Sequence, residues 1–525
     1  MKKIFFYPCL FILVLLYAVK FNDVDFDFWA RIAVGKMFFQ TGNVLPFDIF
    51  SYTITKPWID HEWGSGVIFY FFLDHFGDAG LIGLKTALMF TIMFLISQII
   101  KLQNPKPDAH LNILFYLFVI LGAFYGICHT IRCQLFTFTF FTLWIYALER
   151  VRRGETRLLW ILPATMLVWA NLHGGFVAGI GLLLMYGVGE FLNRKPCLKY
   201  FLTVIPVSLV TLINPYGIKY LQYIIFATTM DRSNIGEWQM TDLFTSWNKW
   251  YSLKIIILIA IIGIIFYFVK NRPKFHEIDK VRFIILGVTS YLAISHIKHQ
   301  AFFVITAASF FYHNFYGIFQ EAGNFLKVKK GEIVYKILNG LDLAKNAVIY
   351  TLIIISGILF IKFQPIFVNL AINKFPVGSV EFVRQNNLKG NTLTVFEWGS
   401  YAAWKLYPNC LIALDGRYEE VYPEKTFLYV GFLMSYLNSP EHNIRWDYVL
   451  DKYHTDIIII GTQSEKKKQA YKALTEKPEW KMVYEDLISA VFIRKKDFKD
   501  NYIKPKLYPH KVIKEKYYNN VDFLF

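Results

Sequence analysis

Long apolar runs separated by short polar links fill the first two-thirds of this chain, and they limit its fold more than any other feature. A soluble core does not need apolar runs of this length, whereas a helix that crosses a bilayer needs about 20 such residues. Two runs that flank residues 171–175 are typical of a broken or re-entrant hairpin. The pattern predicts a polytopic α-helical membrane protein with about 11 transmembrane helices, at residues 4–19, 79–100, 111–127, 134–149, 158–171, 175–192, 200–213, 252–269, 283–296, 300–317 and 347–363.

Composition and charge agree with a membrane protein. Of the 525 residues, 55% are hydrophobic and 18% are aromatic, more than a soluble globular chain carries. The formal net charge is +17, but the basic residues stand in short clusters between the apolar runs, where they set topology and attract anionic headgroups. We therefore expect the lipid bilayer, and no nucleic acid, as a partner. The five cysteines are scattered, which argues against a disulfide framework or a zinc site.

The distribution of basic residues also predicts the orientation. With Lys2 and Lys3 in the cytoplasm, the links richest in basic residues all fall on the cytoplasmic side, as the positive-inside rule requires. The first run follows these lysines without a small-residue cleavage pattern and is interpreted as an uncleaved signal anchor. We expect a multi-pass protein of the cell membrane, with a cytoplasmic N-terminus and an extracytoplasmic segment after about residue 362.

The character of the chain changes near residue 363. Apolar runs shorten to five or six residues there and alternate with helical patterns, which predicts a three-layer α/β domain. The predicted division is a multi-span domain at 1–363 with a large first outer loop at 20–78, an extracytoplasmic α/β domain at 364–497, and a basic aromatic tail at 498–525.

The first outer loop concentrates carboxylates directly after the first span. Asp23, Asp25 and Asp27 stand within five residues, an expensive arrangement at a membrane surface unless something cationic or protic is held there. Asp25 and Asp27 are therefore candidate catalytic residues and candidate ligands of a divalent metal such as Mg or Mn. The alternative is a solvated acidic turn that caps a helix starting near Phe28.

The same loop carries a second polar group between two tryptophans. Asp60, His61 and Glu62 lie between Trp58 and Trp63. His61 is a candidate proton carrier, and with Glu62 it joins the catalytic candidates. The alternative is an interfacial histidine in a solvated loop.

Polar residues at the outer ends of spans form a third set of candidates. Arg132, with Gln134 nearby, and Lys298, beside His299, run against the positive-inside trend and need an anionic partner. A lipid phosphate or diphosphate suits an Arg fork and a Lys point charge; an internal ion pair or snorkelling to headgroups is the alternative. Asn171 and His173 stand at the break between two short spans, where polar groups line any cavity that opens.

An acidic first outer loop, many spans, polar outer turns and an outer C-terminal α/β domain together resemble the C-type (GT-C) glycosyltransferases. These membrane enzymes take a sugar from a polyprenyl phosphate or diphosphate carrier. Asp25 and Asp27 match the acidic pair that they place in the first outer loop. Residues 50–63, 169–175 and 214–217 are similar to bacterial membrane proteins described as glycosyltransferase-like.

Two further candidate surfaces lie in the outer domain. Residues 396–401 are similar by position to the W-W-D-Y-G acceptor motif of the oligosaccharyltransferase catalytic subunit, with a different order and composition. This makes Glu397 and Trp398 candidate acceptor ligands. Asp415 and Arg417 follow a predicted strand and are either a second binding surface or a plain strand-to-loop turn.

The resemblance implies a membrane glycosyltransferase that moves a sugar from a polyprenyl-linked donor to an extracytoplasmic glycan, lipid or protein acceptor. Arg132 and Lys298 would hold the donor phosphate, and Asp25 or Asp27 would take the acceptor proton or hold a metal. The absence of Walker A and dinucleotide-binding motifs fits a donor that is not a nucleotide. A carrier or flippase for lipid-linked saccharide, or a non-catalytic envelope scaffold, is the alternative.

Overall fold

The computed structural model describes residues 2–103, 111–230, 236–244, 251–312 and most of 348–497, with 504–507. Within 348–497 the description leaves out 349, 361, 363–367, 369, 371–373, 427–429, 431–437, 440–443, 446–449 and 463–464. All but four residues of the predicted tail at 498–525 therefore lie outside the described residues.

Helices dominate the described part of the first 360 residues. The longest is interrupted at Gly77, whose φ of 59° is a conformation that glycine adopts at little cost. The helices are α1 Lys2–Lys20, α2 Phe28–Thr41, α3 Trp63–Gln103, α4 Ile113–Gly122, α5 Gln134–Val151, α6 Ile161–Leu172, α7 Val177–Leu192, α8 Leu198–Val210, α9 Ile218–Thr229, α10 Tyr251–Asn271, α11 Lys280–Ser295, α12 over residues 300–312 and α13 Tyr350–Phe360. Two short strands, β1 Asp23–Val24 and β2 Thr130–Ile131, lie among them.

Each predicted span overlaps a helix in the part of the chain that the structure describes, but the helices differ in length and hydropathy. Within the described residues, three helical stretches are both long and apolar enough for a crossing: Trp63–Gln103, Gly174–Leu192 and Leu253–Asn271. Shorter apolar helices, such as Leu198–Val210, fall below the length of a full crossing. By length and composition these three stretches suit a membrane protein, and the number of spans stays a prediction.

The chain packs as two compact units, each built from two separate stretches of sequence. The first contains Met1–Asn22 and Ile82–Phe367, and the second contains Asp23–Leu81 and Val368–Phe525. The first outer loop thus packs with the C-terminal segment, whereas the sequence-based division grouped residues 20–78 with the spans. Chain order alone suggested that grouping, because hydropathy does not report which distant segment a loop packs against.

In the first unit, a network of ion pairs joins one end of three helices. Arg152, at the end of α5, donates to Glu149 at 2.9 Å and to Asp279 at 2.9 Å, and also pairs with Glu190 of α7. Arg282 of α11 lies 3.1 Å from Asp279. Arg152 and Arg282 lie in the basic links on the predicted cytoplasmic side, and the structure gives both of them carboxylate partners as well.

The second unit is built on a mixed sheet with the strand order β10-β8-β9-β7-β3-β4. Strands β7, β3 and β4 are parallel to one another, with β4 at the edge, and β9 runs antiparallel between β7 and β8. The strands are β3 Gly390–Thr394, β4 Cys410–Ile412, β7 Ile457–Gly461, β8 Trp480–Glu485, β9 Ser489–Arg494 and β10 Lys506–Leu507, with a separate hairpin β5 Asn438–Ser439 and β6 Ile444–Arg445. The helices are α14 Val377–Gln385, α15 Gly399–Leu406, α16 Tyr418–Val421 and α17 Glu465–Glu476. The predicted C-terminal α/β domain is confirmed at this level.

The first outer loop extends this sheet at its β4 edge. The N–H of Ile412 donates to the carbonyl of Phe50 at 2.8 Å, and the N–H of Tyr52 donates to the carbonyl of Ile412 at 3.1 Å. Ser51 pairs in parallel with Ile412. In this way a segment more than 350 residues away in sequence pairs with the backbone N–H and C=O groups at the β4 edge of the sheet.

Candidate functional site

Two candidate segments of the second unit meet at one edge of its parallel strands. Glu397 follows the carboxyl end of β3, and Asp415 follows the carboxyl end of the neighbouring strand β4. Because β3 and β4 are parallel, both segments lie beyond the same edge of the sheet, which is where α/β proteins place their ligands. Glu397 is exposed to solvent, whereas Trp398 is buried and donates its indole N–H to the carbonyl of Lys374 at 2.7 Å.

Asp27 joins this carboxyl edge from the first outer loop. A methyl group placed on Gly416 would lie only 2.3 Å from Oδ1 of Asp27, so this carboxylate rests against the turn between Asp415 and Arg417. The helix predicted near Phe28 does begin there, but the Asp27 side chain makes no capping hydrogen bond to it. Asp27 is exposed and Asp25 is half-buried. The Asp27 side chain is therefore exposed to solvent at this edge.

Packing between α2 and α15 fixes Asp27 in this place. The rings of Trp29 and Tyr401 lie 5.0 Å apart, and Phe26 and Phe375 are 4.8 Å apart. Trp29 and Tyr401 are fully buried, so both helices are held by an aromatic core. This core connects the Asp25–Trp29 motif to the Phe396–Tyr401 motif, which the sequence resemblance had treated separately.

Asp415 and Arg417 form a buried ion-pair cluster beneath the carboxyl edge. Arg417 contacts Asp415 at 2.8 Å and Asp48 at 2.7 Å, and all three side chains are at most 2% exposed. The guanidinium also lies 4.8 Å from the ring centroid of Trp58. In this geometry Arg417 connects the first outer loop to the sheet, and its predicted role in substrate binding stays a prediction.

His61 and Glu62 belong to a second buried cluster of the same unit. His61 Nδ1 lies 3.1 Å from Glu420 and its Nε2 lies 3.6 Å from Glu62, while Arg31 pairs with Asp60. Burial alone lowers the pKa of His61, but the Glu420 and Glu62 carboxylates outweigh burial and raise the pKa to about 9. His61 is therefore a cation at neutral pH that attaches the first outer loop to α16.

A pH dependence of stability follows from this histidine. Because the pKa of His61 is raised from 6.5 to about 9, its stabilising contribution is complete below about pH 6.5 and is lost as the pH rises through 9. The Lys56 amide donates to the carbonyl of Val421 at 2.6 Å. We expect the free energy of opening of this amide, measured by hydrogen exchange, to fall across that pH range. His61→Gln should remove the pH-dependent component. An unchanged pH dependence in that variant would contradict the assignment.

The outer-end cations of the first unit are brought together by a carboxylate. Glu237 pairs through Oε2 with Arg132, and its Oε1 lies 3.8 Å from Lys298 Nζ. Lys298 Nζ also lies 3.5 Å from the ring centroid of Trp238. Burial raises the pKa of Glu237, but Arg132 and Lys298 outweigh it, so that the pKa falls below its ordinary value. The predicted pair of cations is thus one local cluster with an internal anion.

The remaining candidates of the first unit surround this cluster or support its frame. His173 Nδ1 accepts from the Gly175 amide at 2.9 Å and bonds Thr137 Oγ1 at 2.8 Å, so its proton is on Nε2. Burial, with Lys298 and His296 nearby, lowers the pKa of His299 to about 3 and keeps it neutral. Asn171 donates to two backbone carbonyls and holds its turn. Gln134 is the first residue of α5.

Each unit is defined by itself, so the predicted common cavity for Asp25, Asp27, Arg132 and Lys298 stays a prediction. Sequence reasoning missed Arg31, Glu237 and Glu420, whose partners are distant in sequence. It also missed Lys85, which is 1% exposed and donates to the carbonyl of Cys128 at 2.6 Å. A lone lysine inside the apolar run 79–100 is a recognisable signal, because a buried charge in a span needs a partner.

The described residues contain no group of three or more His, Cys, Asp and Glu side chains that could hold a metal ion. Asp25 and Asp27 alone supply fewer ligands than a closed protein site. They suit Mg²⁺ only in the arrangement in which one or two carboxylates are completed by substrate phosphates.

Comparison with known proteins reveals the fold. No family model matches the sequence, and no curated protein matches it significantly. The Archaeoglobus fulgidus oligosaccharyltransferase in its apo form matches with a TM-score of 0.55 at 9% identity, over 87% of this chain and 70% of that chain. The same enzyme tethered to an acceptor peptide containing the NVT sequon gives 0.54 at 10% identity, over 94% and 75%. Its complex with zinc and sulfate gives 0.52 at 11% identity, over 94% and 74%.

These matches show that this chain shares the GT-C fold of the archaeal oligosaccharyltransferase. The resemblance to C-type glycosyltransferases is therefore confirmed at the level of the fold. Identities of 9–11% carry no residue roles from one chain to the other. The activity therefore depends on residues of this chain itself: Asp27 at the carboxyl edge, and Arg132 and Lys298 in the first unit.

Proposed function

We propose that this protein is a membrane glycosyltransferase that moves a sugar from a polyprenyl phosphate or diphosphate to an extracytoplasmic acceptor. The position of Asp27 carries the proposal. Its carboxylate is exposed at the carboxyl edge of parallel strands, against Gly416, and is held there by an aromatic core. An exposed, rigidly placed carboxylate suits a general base.

In the proposed reaction, the bond between the anomeric carbon of the sugar and the phosphate oxygen breaks. A new bond forms from that carbon to the acceptor oxygen or nitrogen, and the acceptor proton passes to the carboxylate of Asp27 or Asp25. The electron pair of the broken bond stays on the lipid phosphate. Nearby carboxylates favour the positive charge that develops on the sugar ring. A divalent cation at Asp25 and Asp27, when bound, would neutralise donor phosphate charge.

Arg132 and Lys298 are the proposed donor-phosphate ligands. An Arg fork and a Lys ammonium on one site supply the charge-assisted hydrogen bonds that phosphates take. The orientation that places both residues and the C-terminal segment outside the cytoplasm is part of the proposal. A reporter fused after Phe525 that works only in the cytoplasm would overturn it.

Arg132→Ala is expected to weaken donor binding more than turnover. The charge that Arg132 meets on the phosphate exists before reaction, so its loss acts on the ground state and raises KM while kcat changes less. The measurement is the initial transfer rate against the concentration of lipid-linked sugar in membranes. Arg157→Ala, an exposed arginine at the predicted cytoplasmic side, is the control. A kcat loss with unchanged KM would contradict a donor-binding role.

A further inference from the structure

Glu237 occupies the place where an anion would sit between two cations. One carboxylate oxygen pairs with Arg132 and the other faces Lys298 at 3.8 Å. These are the contacts that two oxygens of a phosphate would make on the same pair. The side chains of Glu237 and Arg132 are each 28% exposed, and that of Lys298 is 22% exposed. The cluster is thus partly desolvated but reachable from solvent.

The net charge of the cluster balances that of a phosphate only when the Glu237 carboxylate moves away from Arg132 and Lys298. His299 is neutral, because its pKa is lowered to about 3, and His173 carries its proton on Nε2 in the neutral form. With Glu237 in place, Arg132 and Lys298 retain one net positive charge. Without it they present two, which balances the two negative charges of a phosphate monoester dianion or a lipid diphosphate diester. Electrostatic complementarity therefore favours exchange of one anion for the other.

Hydrogen bonds hold the backbone of the residues that follow Glu237. A phosphate could therefore replace the Glu237 carboxylate if only the Glu237 side chain rotated. The carbonyl of Trp238 accepts from His296 Nδ1 at 2.7 Å, and the carbonyl of Gln239 accepts from the Ile297 amide at 3.1 Å. Further along the same segment, the N–H of Thr241 donates to the carbonyl of Ile294 at 2.8 Å. These bonds involve the main chain of the segment and survive a change at the carboxylate of Glu237.

We propose that Glu237 is an internal competitor for the anion site formed by Arg132 and Lys298, and that a phosphate or diphosphate binds there by displacing it. The inference rests on the proposed function for the identity of the physiological anion. The displacement itself depends only on the cluster. A competitor that fills the site for nine-tenths of the time lowers the apparent affinity of the ligand about tenfold.

The experiment measures binding to the full-length protein in lipid nanodiscs, with no sugar transfer involved. The two probes are inorganic pyrophosphate and a polyprenyl phosphate. We expect Glu237→Gln, which keeps the shape and removes the charge, to tighten binding about tenfold or more. Glu237→Asp keeps the competing charge, so its affinity for the probes should rise much less. Adding Arg132→Ala to Glu237→Gln should abolish the gain. Tightening for both probes identifies the phosphate as sufficient, and tightening for the polyprenyl phosphate alone identifies a lipid source.

Unchanged or weaker binding of both probes to Glu237→Gln would overturn the proposal, because it would make Glu237 a bystander or a supporting residue of the site. An equal gain in Glu237→Asp would overturn it as well, because the charge would then not be the cause. Transfer activity is a separate measurement. The competition result can therefore stand if the glycosyltransferase proposal fails, and it can fail while that proposal stands.

Discussion

Asp27→Asn is expected to lower sugar transfer by about 10²–10⁴ while the protein stays folded. The substitution keeps the size of the side chain and removes the carboxylate that would accept the proton of the acceptor. Asp27 is exposed, and Asn is as good as Asp at the start of a helix, so the effect on stability should stay within about 0.5 kcal/mol. The measurement is the transfer of labelled sugar from a lipid-linked donor in membranes, with the amount of folded protein determined in the same samples.

Asp25→Asn should lower the transfer rate by a comparable factor if both carboxylates take part in proton transfer. It should change the rate little if Asp27 acts alone. Asp23→Asn is the matched control, because it changes the same charge in the same acidic segment outside the proposed site. Equal activity of wild type, Asp25→Asn and Asp27→Asn would remove the chemical centre of the proposal. A loss in Asp23→Asn as large as that in Asp27→Asn would also contradict it, since the effect would then reflect general charge.

Arg417→Ala is expected to destabilise the second unit by about 3–5 kcal/mol. The variant leaves the buried carboxylates of Asp48 and Asp415 facing each other without their cation. The cost should appear where the first outer loop adds to the sheet, at the amide of Ile412, which donates to Phe50 at 2.8 Å. Native-state hydrogen exchange of that amide in the full-length protein measures the opening free energy.

Arg384→Ala is the control for this second prediction. Arg384 also pairs with a carboxylate, Glu381 at 2.7 Å, but its side chain is 60% exposed. Exposed pairs contribute about 0–1 kcal/mol, so this variant should leave the Ile412 amide almost unchanged. Protection of that amide in Arg417→Ala equal to wild type would show that the Asp48–Arg417–Asp415 cluster does not hold the loop.

Local signals in the sequence were sufficient for the helices and for the α/β character of the C-terminal segment. Every predicted span overlaps a helix among the described residues, because hydropathy is a property of residues that are neighbours along the chain. The strand–helix alternation between residues 377 and 494 was equally local, and the sheet is present. The resemblance to GT-C enzymes added the correct fold.

Long-range pairing could not be predicted in the same way. Nothing near Phe50 indicates that it bonds Ile412, and nothing near Asp48 indicates that its partner is Arg417. For this reason chain order groups the first outer loop with the spans. In the sequence Asp27, Glu397 and Asp415 are three separate candidates, and only the sheet topology brings them to one edge.

Internal anions were the other gap. The sequence indicates that Arg132 and Lys298 are cations that need an anionic partner, either a phosphate or an internal carboxylate. The structure supplies an internal carboxylate in Glu237, which no sequence pattern singles out. A lone carboxylate beside a tryptophan in an outer link is a weak signal until the opposing cations are placed in space.

The central claim, that this protein breaks a sugar–phosphate bond, is tested most directly with purified protein in vesicles that contain a polyprenyl-linked labelled sugar, with a membrane extract added to supply the acceptor. We predict that label leaves the lipid and that free polyprenyl phosphate or diphosphate accumulates, in wild type and not in Asp27→Asn. Label that crosses the bilayer while it remains on the lipid, equally in both proteins, would contradict the claim and establish a carrier instead.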